Sequence, residues 1–187
     1  MLVFLLEEES MMEFLTGLLP RILPPEWTFK LVPHEGKSDL EKSIPRKLRA
    51  WRTPGTRFIV VRDQDSGDCA VIKAKLEQSC REAGRADAIV CIACRELEAW
   101  FIGDLATVGE VFSVPQLAGL QGKARFRNPD RLGSPSRELM ALVPGYGKKS
   151  GARALGAVLE PARTYSPSFR YFVRKVAEVA ASPEPAR

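Results

Sequence analysis

The sequence predicts an α/β fold: a parallel or mostly parallel sheet with helices on both faces, followed by a helical C-terminal region. Three observations carry this. Apolar runs of strand length recur at Leu2–Leu6, Thr28–Val32, Phe58–Val61 and Ala88–Ala93, with stretches of helical character after each. Phe58-Ile59-Val60-Val61 is apolar at consecutive positions, the pattern of a strand buried on both faces. After Asp104 the alternation stops, and Ser134-Pro135 and Ser166-Pro167 mark helix starts instead, each a capping serine before a first-turn proline. Strands alternating with helices four times over give a parallel sheet covered on both sides. The α/β core is drawn as 1–112, and 113–187 as a loop and helical extension packed on it in a single structural unit.

Leu2–Leu6 is the first strand, and Glu7-Glu8-Glu9 turns sharply at its carboxyl end. Ser10 then opens a helix, with Glu13 completing a capping box. Met11, Phe14, Leu15, Leu18 and Leu19 share the inward face of that helix, which falters near Pro20. After the second strand, His34-Glu35-Gly36-Lys37 makes a polar loop, and Ser38 with Glu41 repeats the capping-box pattern. The next helix reaches Trp51, with Pro45 either disturbing it or lying in its first turn. The third strand ends in Arg62-Asp63-Gln64-Asp65, and a helix from about Asp68 to Ala83 stops at Gly84. The fourth strand leads into a short helix opened by Arg95–Phe101.

Val114–Pro135 is rich in Gly, Pro and Arg without a sustained period, and reads as a long loop or excursion. Leu139, Leu142, Leu155, Val158, Phe169, Phe172, Val173 and Val176 are the positions expected to pack back on the core, and Ser182–Arg187 is a tail that frays.

Composition narrows the function classes. No apolar run approaches the roughly 20 residues that span a bilayer. Leu2–Leu6 lacks the basic lead and the length of a signal peptide, so no membrane association and a cytoplasmic location are the expectation. Net charge is +5, which permits an anionic partner without requiring one. Cys91 and Cys94 have CxxC spacing, but no second pair completes a zinc site, and the four cysteines read as structural thiols. His34 is the only histidine, which weighs against Ser-His or Cys-His catalysis.

The candidate chemistry lies where the strands end. Glu7–Glu9 follow the first strand, Asp63 and Asp65 the third, and Glu96 and Glu98 the fourth. Parallel strands end on one edge, where open α/β sheets bind ligands, so these acids converge. Carboxylates that close repel one another, and a divalent cation resolves the conflict. All-oxygen ligands suit Mg²⁺, which takes one or two protein carboxylates and leaves positions open for phosphate oxygens. The alternative is that these acids merely start helices, where they complement the dipole.

A glutamate after the first strand, an Asp-x-Asp after a later one and a doubly wound topology together resemble the TOPRIM domain of topoisomerases, primases and several nucleases. More narrowly, the chain resembles the TOPRIM-like members of domain-of-unknown-function family 4276. The likeness runs through Glu7-Glu8-Glu9-Ser10, Gly36-Lys37-Ser38-Asp39-Leu40, Arg62-Asp63-Gln64-Asp65, Glu96-Leu97-Glu98-Ala99-Trp100, Tyr146-Gly147-Lys148-Lys149 and Ser166-Pro167-Ser168-Phe169.

The resemblance implies metal-binding roles for Glu7, Asp63 and Asp65, with Glu8 or Glu9 as alternatives to Glu7. It implies a second-metal role for Glu98, as in the nucleases of the overcoming-lysogenization-defect type, and a catalytic or phosphate-holding lysine at Lys148 or Lys149. The expected cofactor is Mg²⁺, with Mn²⁺ as substitute. The expected activity is a phosphodiester-cleaving nuclease acting on DNA or RNA, with a role in defence against phage or plasmids. The alternative is a non-catalytic TOPRIM-like module that binds nucleic acid or a partner ATPase.

A separate observation concerns nucleic acid. Lys123, Arg125, Arg127, Arg131, Arg137, Lys148, Lys149 and Arg153 stand against only Asp130 and Glu138 between Gln121 and Arg153, a footprint for a phosphate backbone or simply a solvated loop. Trp100 and Phe101 are expected in the core and Tyr146, between two glycines, on the surface. His34 and Lys37 lie near the same edge as substrate contacts or a plain turn, and Asp104 ends one helix and begins another.

Overall fold

The computed structural model of the protein describes residues 1–181; the fraying expected of 182–187 lies outside the described residues. The strands are β1 (Leu2–Leu6), β2 (Phe29–Pro33), β3 (Arg57–Asp63) and β4 (Ile89–Ala93). Among the described residues they form one four-stranded sheet in the order β2-β1-β3-β4, with every pairing parallel. The chain winds outward from β1 to β2, then crosses back to β3 and continues to β4. Between β1 and β3 the winding reverses, and this is the point where an open α/β sheet leaves a crevice beyond its carboxyl edge. Leu6 is level with Val61, and β3 runs two residues further to pair Asp63 with Ala93. That pairing extends β3 past the apolar run and makes Arg62 and Asp63 part of the strand.

Alternation of side chains divides the sheet into two faces. Val3, Leu5, Phe58, Val60, Val90 and Ile92 pack under α2 (Lys37–Ala50) and α3 (Cys69–Glu82), which contribute Leu40, Ile44, Leu48, Leu76 and Cys80. Leu2, Phe4, Leu6, Ile59 and Val61 pack under α1 (Glu9–Ile22), α4 (Glu98–Ile102) and α5 (Leu105–Val111). The C-terminal helices α6 (Pro135–Leu142), α7 (Lys148–Gly156) and α8 (Pro167–Ala181) join the same cluster through Leu139, Leu155, Phe169, Phe172 and Val176. At its centre Trp100 stacks on Phe169 with ring centroids 5.1 Å apart and lies 5.0 Å from Phe172. Its indole N–H donates to Ser168 Oγ at 2.9 Å, so the buried polar atom is satisfied. Trp100 and Phe101 are core residues, as their sequence context indicates.

Several local expectations need correction. α1 continues through Pro20 to Ile22; Pro20 offers no N–H to the Thr16 carbonyl, and both residues face solvent. Pro45 sits in the middle of α2 rather than in its first turn. Neither capping box forms. Ser10 lies inside α1 and donates to Glu8, while Glu13 pairs with Arg153. α2 starts after Gly36, at φ +94°, and the Asp39 carboxylate accepts from the Glu35 N–H in place of Ser38. Glu41 is drawn to Arg62 and Lys75. Val158 is 44% exposed and does not pack back. The stretch after α5 holds two 3-10 turns, Pro115–Leu120 and Pro129–Arg131. Ser166 caps α8 by accepting from the Phe169 N–H, and Asp104 caps α5 by accepting from the Thr107 N–H.

α1 and α7 meet backbone to backbone. A Cβ at Gly156 would stand 2.2 Å from the Phe14 carbonyl oxygen, and one at Gly17 would stand 2.6 Å from the Gly156 carbonyl carbon. Only glycine permits that approach. Along the same seam acids of α1 meet bases of α7: Glu13 takes Arg153 in a two-pronged bond at 2.7 Å, and Glu9 takes Lys149.

Gly156→Ala is therefore expected to lower stability by about 1–3 kcal/mol through overpacking. Gly133→Ala, which faces open space, should stay within about 0.5 kcal/mol of wild type. Urea midpoints decide this, and equal midpoints for the two variants would contradict the seam.

Candidate functional site

The acids after β1, β3 and β4 gather at the switch point, but not all of them. The Asp63 N–H donates to Glu7 Oε2 at 3.0 Å, so the end of β1 grips the end of β3. Asp63 is 5% exposed and its Oδ1 has no hydrogen-bond partner. Glu98, at the first position of α4, is 1% exposed, and its Oε2 is also unpartnered. Trp100, two residues on, anchors that short helix in the aromatic core and so holds Glu98 inward. Lys148, at the start of α7, reaches across with Nζ 3.9 Å from Glu98 and 3.7 Å from Glu8.

The charges act on one another as the geometry requires. Burial pushes the Asp63 carboxyl well above its ordinary range, and Glu7, Glu8 and Glu98 push it the same way while Lys148 opposes them. Burial also raises Glu98 against the pull of Lys148. It raises Glu7 against the bond from the Asp63 N–H. Burial alone would lower the Lys148 ammonium, but Glu98, Glu8 and Asp63 outweigh it and its pKa is raised.

The other predicted acids are engaged by partners of their own, although Asp65 stays near enough to Glu7 to raise its pKa. Asp65 accepts from Lys37 Nζ at 2.8 Å and sits at φ +56°, in the left-handed region. The turn breaks the strand alternation that would have kept Asp65 beside Asp63. Its backbone is held there by Arg95, itself at φ +65°: Asp65 N–H donates to the Arg95 carbonyl at 2.8 Å, and Arg95 N–H to Gln64 Oε1 at 3.1 Å. Left-handed non-glycine residues cost free energy and persist where surroundings over-determine them. Glu9 is exposed and engaged by Lys149, which leaves Glu7 and Glu8 as the acids of that run beside Asp63. Glu96 accepts from the Ser136 N–H at 2.6 Å and caps α6, the task Ser134 was expected to perform.

Two contributors were not foreseen. Tyr146 is buried at 9% exposure rather than displayed, and its Oη stands beside Glu98 without closing a normal hydrogen bond. Burial and Glu98 raise its pKa. The clue was Gly145-Tyr146-Gly147, which shaped a tight corner rather than an exposed tip; a Cβ at Gly151 would strike the ring at 2.2 Å. Arg62 is buried between Glu7 at 3.8 Å and Glu41 at 3.6 Å, balancing acids from below. His34 bonds through Nδ1 to the Leu6 carbonyl at 2.8 Å, its Nε2 is unpartnered, and burial lowers its pKa. Lys37 belongs to Asp65, not to an open turn.

Among the described residues, no three Asp, Glu, His or Cys side chains stand close enough together to hold a metal unaided. Asp63 and Glu98 nevertheless present unpartnered buried oxygens, an all-oxygen donor set that fits a hard cation needing only one or two carboxylates. Half of the basic cluster of the C-terminal third is engaged: Arg125 pairs with Glu138, Lys149 with Glu9, Arg153 with Glu13, and Lys148 with Glu8 and Glu98. Among the described residues no helix is long and apolar enough to cross a membrane. The four cysteines are free thiols, with burial raising Cys80 to about 11 and Cys91 and Cys94 to about 12.

A parallel Rossmann-like α/β sheet with buried acids at its switch point defines the class of protein. Within it, the family model described as Domain of unknown function (DUF4276) matches residues 6–177, and the chain belongs to that family. No curated protein and no solved structure matches the chain.

Asp63 should govern a pH-dependent part of stability. A carboxyl raised in the folded state contributes stability that is complete below its unfolded value, ordinarily 3.8, and is lost as pH rises through the folded value. In EDTA, Asp63→Asn is expected to melt above wild type at neutral pH, by about 2–4 °C for each kcal/mol of repulsion removed. The difference should shrink towards zero below about pH 4. A difference that stays constant across that range would show that Asp63 carries no such shift.

Proposed function

We propose that the protein is a Mg²⁺-dependent phosphodiester hydrolase, a nuclease acting on DNA or RNA, of the TOPRIM-like kind. The observation that carries this reading is Asp63: a buried carboxylate with a free oxygen, at the switch point of a parallel sheet, facing further acids and one lysine. Asp63 and Glu98 would hold the cation, with Glu7 or Glu8 completing its surroundings, and Mn²⁺ would substitute. The metal would supply a Lewis acid for the phosphoryl oxygens and an activated water.

The chain's own residues account for the rest. Glu7 positions Asp63 by accepting its backbone N–H. Tyr146, itself buried, stands beside Glu98 and would help shield it from bulk water. Lys148 is charged and central, and a phosphate entering the pocket would take its ammonium from Glu8 and Glu98. Negative charge developing on that phosphate is then stabilised by a cation already in place. A role in defence against phage or plasmids, with an ATPase as partner, accompanies this reading through the family resemblance.

Asp65 favours a second reading. Its pairing with Lys37 occupies one member of the Asp-x-Asp pair, as a non-catalytic module that binds nucleic acid or an ATPase would tolerate.

Purified protein with Mg²⁺ or Mn²⁺ is expected to cleave labelled DNA or RNA. Asp63→Ala and Glu98→Gln should abolish cleavage, and Lys148→Met should slow it by about 100-fold. Titration calorimetry with Mn²⁺ should give heat with wild type and none with Asp63→Asn. Heat without cleavage of any nucleic acid would sink the hydrolase reading, and neither heat nor cleavage would leave the module.

A further inference from the structure

A second positive surface lies away from the stretch where the sequence concentrates its cations. From Lys42 to Arg62 the chain contains no Asp or Glu, yet it carries Lys42, Arg46, Lys47, Arg49 and Arg52 on or just after α2. Among the described residues none of these five forms an ion pair. The nearest acid of the helix, Glu41, is taken by Arg62 and Lys75. Arg46 donates to Ser43 Oγ at 3.4 Å and Arg49 to the Glu82 carbonyl at 3.2 Å, neutral partners that leave both charges uncompensated.

Periodicity aims them. Leu40, Ser43, Ile44 and Leu48 face the sheet, so Lys42, Arg46 and Arg49, at i, i+4 and i+7, form an exposed stripe on the opposite side. The stripe is about 10 Å long at 1.5 Å per residue. It borders an open depression completed by Pro45, Ala50 and Arg52. Duplex phosphates follow one another about every 3.4 Å of axis along each strand, so three cations match a short run of backbone. α2 also begins at the candidate site: the Gly36 N–H donates to the Glu7 carbonyl at 2.9 Å, and Lys37 holds Asp65.

We propose that the outer face of α2 is a docking surface for the phosphate backbone of nucleic acid, carried by Lys42, Arg46 and Arg49 with Arg52 at its end. The choice of nucleic acid among polyanions rests on the nuclease reading above; the surface itself rests on its uncompensated charge. It binds without reading sequence, since guanidinium and ammonium groups on a convex helix face meet phosphates rather than base edges.

The test is fluorescence anisotropy with a labelled DNA duplex of about 25 base pairs in EDTA, across a salt series. Wild type is expected to bind, and the charge-reversal variant K42E/R46E/R49E to bind at least about tenfold more weakly, with a salt slope reduced by about three. The milder K42Q/R46Q/R49Q should fall between them, and circular dichroism should give all three the same melting profile. K123E/R131E, which reverses exposed cations of the C-terminal stretch, should bind within about twofold of wild type. Wild type should bind the duplex in EDTA even if no cleavage is ever seen with Mg²⁺, which separates this proposal from the catalytic one. Equal binding by wild type and the reversal variant would overturn it, as would an equal loss in K123E/R131E. So would binding to vesicles of phosphatidylcholine and phosphatidylserine with none to the duplex.

Discussion

The structure depends on holding carboxylates closer together than they would stay in water. Glu7, Asp63 and Glu98 are each less than a tenth exposed, and each is raised by burial. Backbone placement sets this, because β1 and β3 are neighbours in a parallel sheet with Leu6 level with Val61, so Glu7 leaves β1 beside the last residues of β3. The aromatic core then presses α4 against that edge, and α7 brings the compensating ammonium. Everything around the pocket either imposes the crowding or relieves it. Arg62 relieves it from the sheet side and Lys148 from the solvent side.

Much of the fold was legible because its strands are short apolar runs with no competing period. Leu2–Leu6 is matched to the residue, and β2 and β4 lie within a residue of the runs that announce them. The parallel topology follows from the same alternation. Helix interiors were read correctly through Phe14, Leu18 and Phe169, whereas helix starts were not. Ser10 and Ser38 have the side chains of capping residues, but a cap depends on where the chain turns, and the turns came two residues earlier.

The candidate site was legible as a set of positions and illegible as a set of contacts. Sequence placed Glu7, Asp63 and Glu98 at one edge, and in the structure Glu7 and Glu98 both act on Asp63. It gave no means of seeing that Asp65 would adopt a left-handed backbone and turn to Lys37. Nor did it indicate that Tyr146, flanked by glycines, would be folded inward over Glu98. The charge census was incomplete for a related reason. Glu9 with Lys149 and Glu13 with Arg153 are each 140 residues apart, so no local count reveals which cations are already spent.

The seam between α1 and α7 bears on how the chain is made. Gly156 is synthesised almost 140 residues after its counterpart Gly17. At about 5–20 residues per second, α1 spends on the order of ten seconds without the helix that fills its groove. During that interval Glu7 and Asp63 can meet at the sheet edge before Lys148 exists, while Glu98 awaits the Ser168 and Phe169 that anchor Trp100. A nascent chain would thus carry an open apolar cleft beside a concentrated negative charge, and the charge would discourage premature association until α7 arrives.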